Sequence, residues 1–400
     1  MAKKNIRKTN PVAKYKVRYV NPQKQYQDHK KEFLKTVDGV FSRGDLIMRK
    51  DLEDFEKKIA GMVGVKHAIG VNSGTDALSL SMEAAGIKEG DEVIVSGYTV
   101  MMSVSAIVHQ KATPVLVDCQ SDYNIDPGEI EKAITPKTKA IEVVHMHGRV
   151  CDMDRIMEIA KNHKLIVIED AARALGAKYK TENGQWKMAG SFGLSGCFSM
   201  YPFKVLGAFG DAGAITTNDD ETARKLRMLR YNGEDRETRV FYAHGRTALM
   251  DNLQAALLNV KIKYFPGWLA RRRQIAKVYH KGLAGIDGVS IPKFEDSRYK
   301  DCWQNYGIRA QRRDELVDYL DKNGIEVLTE WKIPAHRQPV MMPNNISLPV
   351  TESICAESVL LPMYPELNDS QIEYVCKTLR RFYDCVPGIT RVAGKKISRR

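Results

Sequence analysis

The chain has 400 residues, which is long enough for a large hydrophobic core and for more than one domain. Its formal net charge of +13 would on its own suggest a nucleic-acid partner. That charge is concentrated at the ends, because residues 1–18 carry seven basic side chains and residues 386–400 carry five, with no acidic side chain in either segment. The remainder is nearly neutral, so we expect two basic tails around a body that binds no specific nucleic acid.

The seven cysteines are odd in number and scattered, and none forms a C-x-x-C pair. This pattern is typical of reduced thiols in the cytoplasm and argues against a disulfide framework or a zinc site. His145 and His147 alternate on a predicted strand and would face one metal only by chance, so no metal is expected.

No apolar run approaches about 18 residues, so no membrane span is predicted. The basic N-terminus has no apolar segment behind it and does not read as a signal peptide.

Runs of β character alternate with helical patterns along the first part of the chain. This alternation predicts an α/β fold with a mostly parallel sheet covered by helices. The predicted strands are 67–71, 92–95, 113–118, 140–145, 165–168, 196–199 and 214–217. Helical patterns cover 127–133, 153–163 and 220–231.

The pattern changes in the last third of the chain. Pro266-Gly267 is predicted to precede a basic amphipathic helix over 268–282. A mixed α+β region and a final helix over 369–383 follow. We therefore predict four units, which are a basic tail (1–18), a large domain (19–262), a small C-terminal domain (263–385) and a second basic tail (386–400).

One lysine stands in an unusual context in the segment SMYPFKVLGAFGDAG, residues 199–213. Lys204 follows an apolar run and is surrounded by aromatic and small residues. A lysine that turns inward there loses hydration, so its pKa falls and its amine can attack a carbonyl. A surface lysine in a loop is the alternative.

Two distant segments favour the chemical interpretation. The residues Ser73-Gly-Thr-Asp follow a short strand and open a helix, which is typical of a phosphate cradle and also of an ordinary helix cap. Asp170 follows a buried strand, where it can hold a protonated heterocyclic nitrogen or cap the next helix. A phosphate loop, a strand-end aspartate and a lysine, in this order, are the parts that a pyridoxal 5′-phosphate site needs.

With these residues the chain resembles the sugar aminotransferases of the DegT/DnrJ/EryC1/StrS family from about residue 19 to 382. The resemblance implies a fold-type I transferase with a large cofactor domain and a small C-terminal domain. It also implies a homodimer with shared active sites. The shared segments include VNSGTDAL at 71–78, GDEVI at 90–94, PVLVD at 114–118, EDAA at 169–172 and LQAA at 253–256.

The resemblance implies a role for each matched residue. Lys204 would carry the cofactor and move a proton at the substrate carbon, while Asp170 would pair with the pyridine nitrogen. Gly74, Thr75 and Ser199 would bind the phosphate.

Four positions depart from the family pattern. Arg173 replaces the glutamine or histidine expected near the phenolic oxygen of the cofactor ring. Val100 or Met101 stands where many members have an aromatic residue that stacks on the ring. Thr247 and Leu249 stand where members commonly have an asparagine and an arginine that contact the phosphate of the partner subunit. Arg246 is a possible substitute, so that contact is left open.

The implied reaction moves an amino group, most often from L-glutamate, to a keto carbon of a nucleotide-linked deoxysugar. The segment LGAFGDAG at 206–213 favours amination at C3 over C4, and His336 is the candidate substrate contact. Family dehydratases carry histidine in place of the lysine, so Lys204 argues against dehydration. The remaining alternative is a non-catalytic or regulatory protein that binds pyridoxal phosphate on the same scaffold.

Overall fold

The computed structural model describes residues 15–294, 296–342 and 345–385. Most of the two predicted basic tails, residues 1–14 and 386–400, therefore lies outside the described residues. The described chain has a seven-stranded sheet flanked by helices, followed by a smaller α+β region. This arrangement confirms the predicted α/β class.

The large sheet has the strand order β1-β9-β8-β5-β4-β2-β3. Only β9 runs antiparallel to its neighbours, so the prediction of a mostly parallel sheet is correct. The seven strands are β1 His67–Val71, β2 Glu92–Ser96, β3 Thr113–Val117, β4 Thr138–Val144, β5 Ile166–Asp170, β8 Ser195–Ser199 and β9 Gly213–Thr217.

Helices cover both faces of this sheet, and the apolar cores on the two faces are separate clusters. Polar side chains cap several helix starts by accepting a backbone N–H, as Asn21, Ser73, Asp126 and Asp219 do. The helices that precede the small domain are α1 Pro22–Arg43, α2 Lys50–Val63, α3 Gly74–Ala84, α4 Met101–His109, α5 Pro127–Ala133, α6 Met153–His163, α7 Asp220–Leu229 and α8 Asn252–Leu283.

Helix α8 corrects the prediction made for the region around Pro266. The helix runs unbroken from Asn252 to Leu283 and contains Pro266 in its interior. A proline there removes one backbone hydrogen bond, but burial of Phe265 and Trp268 on either side holds the helix together. The predicted domain boundary at 262/263 therefore falls inside a continuous helix.

The small domain is built on an antiparallel three-stranded sheet with the order β12-β14-β15. Its core includes Tyr279, Tyr306, Leu316 and Leu379. The elements are β12 Val289–Ser290, β14 Tyr306–Ala310, α9 Arg313–Lys322, α10 Pro349–Glu357, β15 Ser358–Leu361 and α11 Asp369–Cys385. Five shorter strands form two minor sheets. One contains β6 Lys178–Lys180, β7 Trp186–Met188 and β13 Tyr299–Lys300, and the other contains β10 Glu234–Asp235 and β11 Val240–Phe241.

Residues 15–18, assigned from the sequence to the first tail, contact the small domain. Val17 is 1% exposed, lies in the small-domain core and forms a parallel bridge with Ile325. The Lys16 N–H donates to the Gly324 carbonyl at 2.8 Å, and the Glu326 N–H donates to the Val17 carbonyl at 2.9 Å. Tyr15, Lys16 and Val17, which the sequence analysis assigned to the first tail, are thus hydrogen-bonded to the small domain.

Over the described ranges, no helix is long and apolar enough to cross a membrane. All seven cysteines are free, and six of them are buried.

Candidate active site

A cavity of about 370 Å³ opens at the carboxyl ends of β1, β5 and β8. Because β5 and β8 are parallel and β1 has the same direction, their following loops meet at one edge of the sheet. Seven of the predicted site residues line this cavity, which are Gly74, Thr75, Val100, Asp170, Arg173, Ser199 and Lys204.

The first turn of α3 forms one wall of the cavity. The Ser73 Oγ accepts the Asp76 N–H at 3.0 Å, which fixes the helix start, while Gly74 and Thr75 present the first N–H groups of the helix. A Cβ on Gly74 would lie 2.7 Å from the Ser199 Cβ, so glycine is what allows this helix to approach β8. A helix N-terminus beside a serine hydroxyl fits a phosphate group.

Asp170 ends β5 as a buried carboxylate with two donors. Its Oδ2 accepts the Ser103 hydroxyl at 2.9 Å, and its Oδ1 accepts the Ala172 N–H at 3.0 Å. The Ser103 Oγ also lies 3.0 Å from the Thr99 Oγ1. These contacts orient an acceptor toward the cavity, and such an acceptor fits a protonated ring nitrogen.

Lys204 lies on a turn that the small domain holds from both sides. Its N–H donates to the Tyr201 carbonyl at 2.9 Å. The Gln304 Nε2 donates to the Phe203 carbonyl at 2.9 Å, and the Gln304 Oε1 accepts the Val205 N–H at 2.7 Å. One small-domain side chain thus fixes the residues on both sides of the lysine.

The electrostatic surroundings of Lys204 favour a neutral amine. Burial and then the Arg173 guanidinium lower the pKa of Lys204 to about 7, against the opposing effects of Asp170 and Glu330. Near neutral pH the side chain can therefore either hold or release a proton.

Arg173 lines the cavity and reaches into the small domain. Its guanidinium donates to the Asn305 Oδ1 at 2.8 Å and to the Glu330 Oε1 at 2.6 Å. It also lies 5.2 Å from the centre of the Trp331 ring. Burial raises the pKa of Glu330, but the Arg173 guanidinium, with smaller effects of other cations, brings it below its ordinary value. The large and small domains are thus joined by a buried ion pair beside the cavity.

Met101, predicted as one of two candidate residues under the cofactor ring, does not line the cavity. Helix α4 begins at Met101, whose side chain packs against the core, while the next residue, Met102, lines the cavity. Successive helical residues point in different directions, so a shift of one position changes which side chain faces the cavity.

His336 lies outside the set of residues that line the cavity, so its placement does not support the predicted substrate contact. Its side chain is fully buried, and its Nε2 lies 2.8 Å from the Glu352 Oε1. Contact with a substrate in this cavity would require that pair to open.

Arg246 and Thr247 also lie outside the cavity that this chain lines. The Arg246 guanidinium donates to the Glu83 Oε2 at 3.0 Å, and the Thr247 hydroxyl lies 3.0 Å from the Asn232 Oδ1. For both residues, a contact across a subunit interface stays a prediction.

Several residues of the site escaped the sequence analysis. Ser103 stands four residues after Thr99 near the start of α4, a spacing that brings both hydroxyls together and could have been noticed. Gln304, Asn305, Glu330 and Trp331 come from the small domain, 100 or more residues after Lys204. No local pattern connects them with the lysine.

Glu169 is a further buried carboxylate beside the site, and it organises the backbone. Its Oε1 accepts the N–H groups of Phe192 and Gly193, and its Oε2 accepts the Gly190 N–H and lies 2.9 Å from the His145 Nε2. The His145 Nδ1 accepts the Cys151 N–H at 3.1 Å. The ring proton is therefore on Nε2, which donates a hydrogen bond to Glu169.

A family model for the DegT/DnrJ/EryC1/StrS aminotransferase family matches residues 27–380. The chain belongs to this family. It is 40% identical over 367 residues to a Geobacillus stearothermophilus protein named "Pleiotropic regulatory protein", with 90% of this chain and 96% of the relative covered. It is 38% identical over 378 residues to the dTDP-3-amino-3,4,6-trideoxy-alpha-D-glucose transaminase of Streptomyces venezuelae, with 93% of this chain and 97% of the relative covered.

The fold of this chain is also similar to solved structures of aminotransferases. The structure of S. venezuelae DesV in complex with a ketimine intermediate has a TM-score of 0.88 and 37% identity, and the match covers 92% of this chain and 99% of that chain. NtdA from Bacillus subtilis, solved with bound cofactor PMP, has a TM-score of 0.85 and 28% identity, over 92% of this chain and 86% of that chain. The protein is a pyridoxal-phosphate-dependent aminotransferase, and the predicted fold-type I scaffold is confirmed.

Proposed function

We propose that the protein transfers an amino group from L-glutamate to the C3 keto carbon of a nucleotide-linked deoxysugar, in the biosynthesis of amino sugars. The observation that carries the proposal is the convergence of Lys204, Asp170 and the α3 N-terminus on one cavity. The Streptomyces venezuelae relative, named as the transaminase of a 3-amino sugar, supports the substrate class and the preference for C3 over C4.

The residues that would hold the cofactor form two groups, one that binds its phosphate and one that binds its ring. The N–H groups of Gly74 and Thr75, with the Ser199 hydroxyl, would bind the phosphate. The Asp170 carboxylate would hold the ring nitrogen in its protonated form. When bound, pyridoxal phosphate supplies an aldehyde for amines and a ring that withdraws electrons from the reacting carbon.

Lys204 would serve as the acid–base group of the reaction. Its pKa of about 7 allows the Nζ atom to take a proton from the substrate carbon and to return one during the same cycle. The hydrogen bonds of Gln304 to the residues on either side of Lys204 would keep that atom in place. Burial in the cavity would limit exchange of the proton with water.

We further propose a cytoplasmic homodimer in which a second copy completes the cavity. Met102 and Tyr201 line the cavity yet are 50% and 46% exposed, which is an unusual exposure for large apolar side chains beside an active site. In this dimer, Arg246 and Thr247 would contact the phosphate group of the cofactor that is bound in the partner subunit. Free cysteines throughout the chain support a reducing compartment.

The test is turnover by protein reconstituted with pyridoxal phosphate. The protein is incubated with L-glutamate and a panel of dTDP-, UDP- and GDP-linked 3-keto and 4-keto deoxysugars, and 2-oxoglutarate and the amino sugar are quantified. We expect a 3-keto sugar to give the highest kcat/KM, with no product from the Lys204→Ala variant. Faster amination of a 4-keto sugar would reject the C3 assignment.

The regulatory alternative draws support from one relative, whose name describes a pleiotropic regulator. A purely regulatory protein would hold the cofactor and release no 2-oxoglutarate with any sugar of the panel. Release of the keto acid in equal amount to the amino sugar would exclude that alternative.

A further inference from the structure

Another buried carboxyl group lies next to the site, in addition to those of Asp170, Glu169 and Glu330. Glu142, in the middle of β4, is 0% exposed. Among the described residues, neither of its carboxyl oxygens has a hydrogen-bond partner. Burying an ionised carboxylate in this way is very costly, so its presence requires an explanation.

The sheet register places Glu142 beneath Asp170. Val144 of β4 pairs with Asp170 of β5, and both residues line the cavity. Side chains two residues apart on a strand share a face, so Glu142 lies on the same face as Asp170 and one step deeper. Ser103, which donates to the Asp170 Oδ2, lies near enough to the Glu142 carboxyl to oppose the rise of its pKa, although the two side chains form no hydrogen bond of normal geometry.

The two carboxyl groups have unequal surroundings. Asp170 accepts hydrogen bonds from Ser103 and from the Ala172 N–H, whereas Glu142 accepts none of this quality. Two neighbouring buried carboxyls do not both ionise readily, and the proton goes to the one with fewer donors. Burial, and then the negative charge of Asp170, raise the pKa of Glu142 well above its ordinary value.

A further titratable group near Glu142 is Cys197 of β8, a strand separated from β4 by β5. Burial raises the pKa of this thiol well above its ordinary value, so it is neutral at physiological pH. The Cys197 Sγ lies 3.2 Å from the Ser81 Oγ. Cys197 therefore brings no charge that would compensate an ionised Glu142.

We propose that Glu142 is a positioning residue, which stays protonated and donates to the Ser103 hydroxyl so that Asp170 remains ionised and oriented. A hydroxyl that accepts a hydrogen bond is a stronger donor, so the proton of Glu142 strengthens the bond from Ser103 to Asp170. The inference rests on the proposed function, in which Asp170 holds the ring nitrogen of the cofactor.

Two substitutions separate this role from packing. Glu142→Gln keeps the size and supplies an N–H donor without a charge, whereas Glu142→Leu keeps much of the volume and removes the donor. If Glu142 only fills space, leucine should serve as well as glutamine or better. If it orders Ser103, glutamine should substitute and leucine should not.

The protonation state is measured first, on cofactor-free protein at neutral pH. An infrared difference spectrum of wild type minus Glu142→Gln should contain the carbonyl stretch of a protonated carboxyl group. A difference spectrum with carboxylate bands instead would overturn the proposal. This readout does not depend on catalysis, so it separates a failure of the inference from a failure of the proposed function.

The second measurement is the affinity for pyridoxamine 5′-phosphate, which binds without a covalent bond to Lys204. Glu142→Gln should bind within about twofold of wild type, and Glu142→Leu about five- to tenfold more weakly, as expected for the loss of roughly one hydrogen bond. In a Ser103→Ala background the glutamine and leucine variants should bind alike, because the connecting hydroxyl is gone.

Val143→Ala is the matched control, since Val143 is also fully buried in β4 but points to the opposite face. It should lower thermal stability and leave the affinity for pyridoxamine phosphate unchanged. Wild-type affinity in a folded Glu142→Leu variant would overturn the proposal. If Glu142→Leu does not fold, a wild-type affinity of Ser103→Ala for pyridoxamine phosphate would overturn the proposal instead.

Discussion

Lys204 is a half-buried side chain whose surroundings disfavour its charged form. Burial and the Arg173 guanidinium lower its pKa from the ordinary 10.5 to about 7. The folded protein therefore binds fewer protons than the unfolded chain between pH 7 and pH 10.5. Below pH 7, folding carries the full free-energy cost of placing the Lys204 ammonium away from water. Above pH 10.5 it carries none of this cost, because the amine is neutral in both states.

We expect Lys204→Met to stabilise the cofactor-free protein, because methionine removes that cost. The gain in melting temperature over wild type should be largest at pH 7 and below, and should shrink as the pH rises toward 10.5. Thermal denaturation of both proteins across this range is the measurement.

Lys57→Met is the control for this comparison. Lys57 is an exposed residue of α2, so its replacement should give a difference from wild type that does not change with pH. A gain for Lys204→Met that stays constant up to pH 10.5 would show that Lys204 is not perturbed in the folded state.

At the residue scale, the sequence was informative for residues that stand in a recognisable short segment, and the order of three such segments along the chain pointed to one site. Lys204, Asp170 and Gly74 each stand in a local context that predicts their place in the cavity. Glu330 and Gln304 could not be found this way, because their importance arises from contacts across the domain boundary.

The close approach of α3 to β8 determines the shape of the proposed phosphate site. We expect Gly74→Ala to weaken the binding of pyridoxamine phosphate more than tenfold and to destabilise the protein by about 1–3 kcal/mol, as overpacking does. The added Cβ would lie 2.7 Å from the Ser199 Cβ and 3.2 Å from its Cα, so the helix start has to move.

Gly61→Ala is the matched substitution at an open helical position. Gly61 lies within α2, and a Cβ there would meet nothing within 4 Å. It should stabilise the protein by about 0.5–1 kcal/mol, because alanine is the better helix former. Chemical denaturation and cofactor titration of both variants test the pair, and equal effects at the two positions would contradict the steric argument.

At the element scale, prediction worked for strands and failed at one proline. The strands of the large sheet are short runs of mostly apolar residues between turn signals, and their predicted bounds agree with the structure to within two residues. Pro266 gave a false boundary, because the cost of a proline in a helix was outweighed by burial along α8 on both sides of it.

At the scale of the whole molecule, the candidate site depends on contacts between the two domains. Helix α8 passes through both domains, and Gln304 and Glu330 reach from the small domain to the lysine turn and to Arg173. The Asn305 side chain links Arg173 to the Tyr19 hydroxyl, to which its Nδ2 donates at 2.6 Å. Residues just before Tyr19 are therefore connected with the site through the small domain.

This connection determines the expected effect of deletions at the N-terminus. Removing residues 1–14 should leave stability and turnover unchanged, whereas removing residues 1–18 should lower both. The longer deletion exposes the pocket of Val17, whose burial contributes about 1.5–3 kcal/mol, and breaks its backbone bonds with Gly324 and Glu326. Denaturation and steady-state kinetics of the two deletions are the measurement. Full-length Val17→Ala should reproduce part of the loss, while equal stability of both deletions would show that residues 15–18 contribute nothing to the fold.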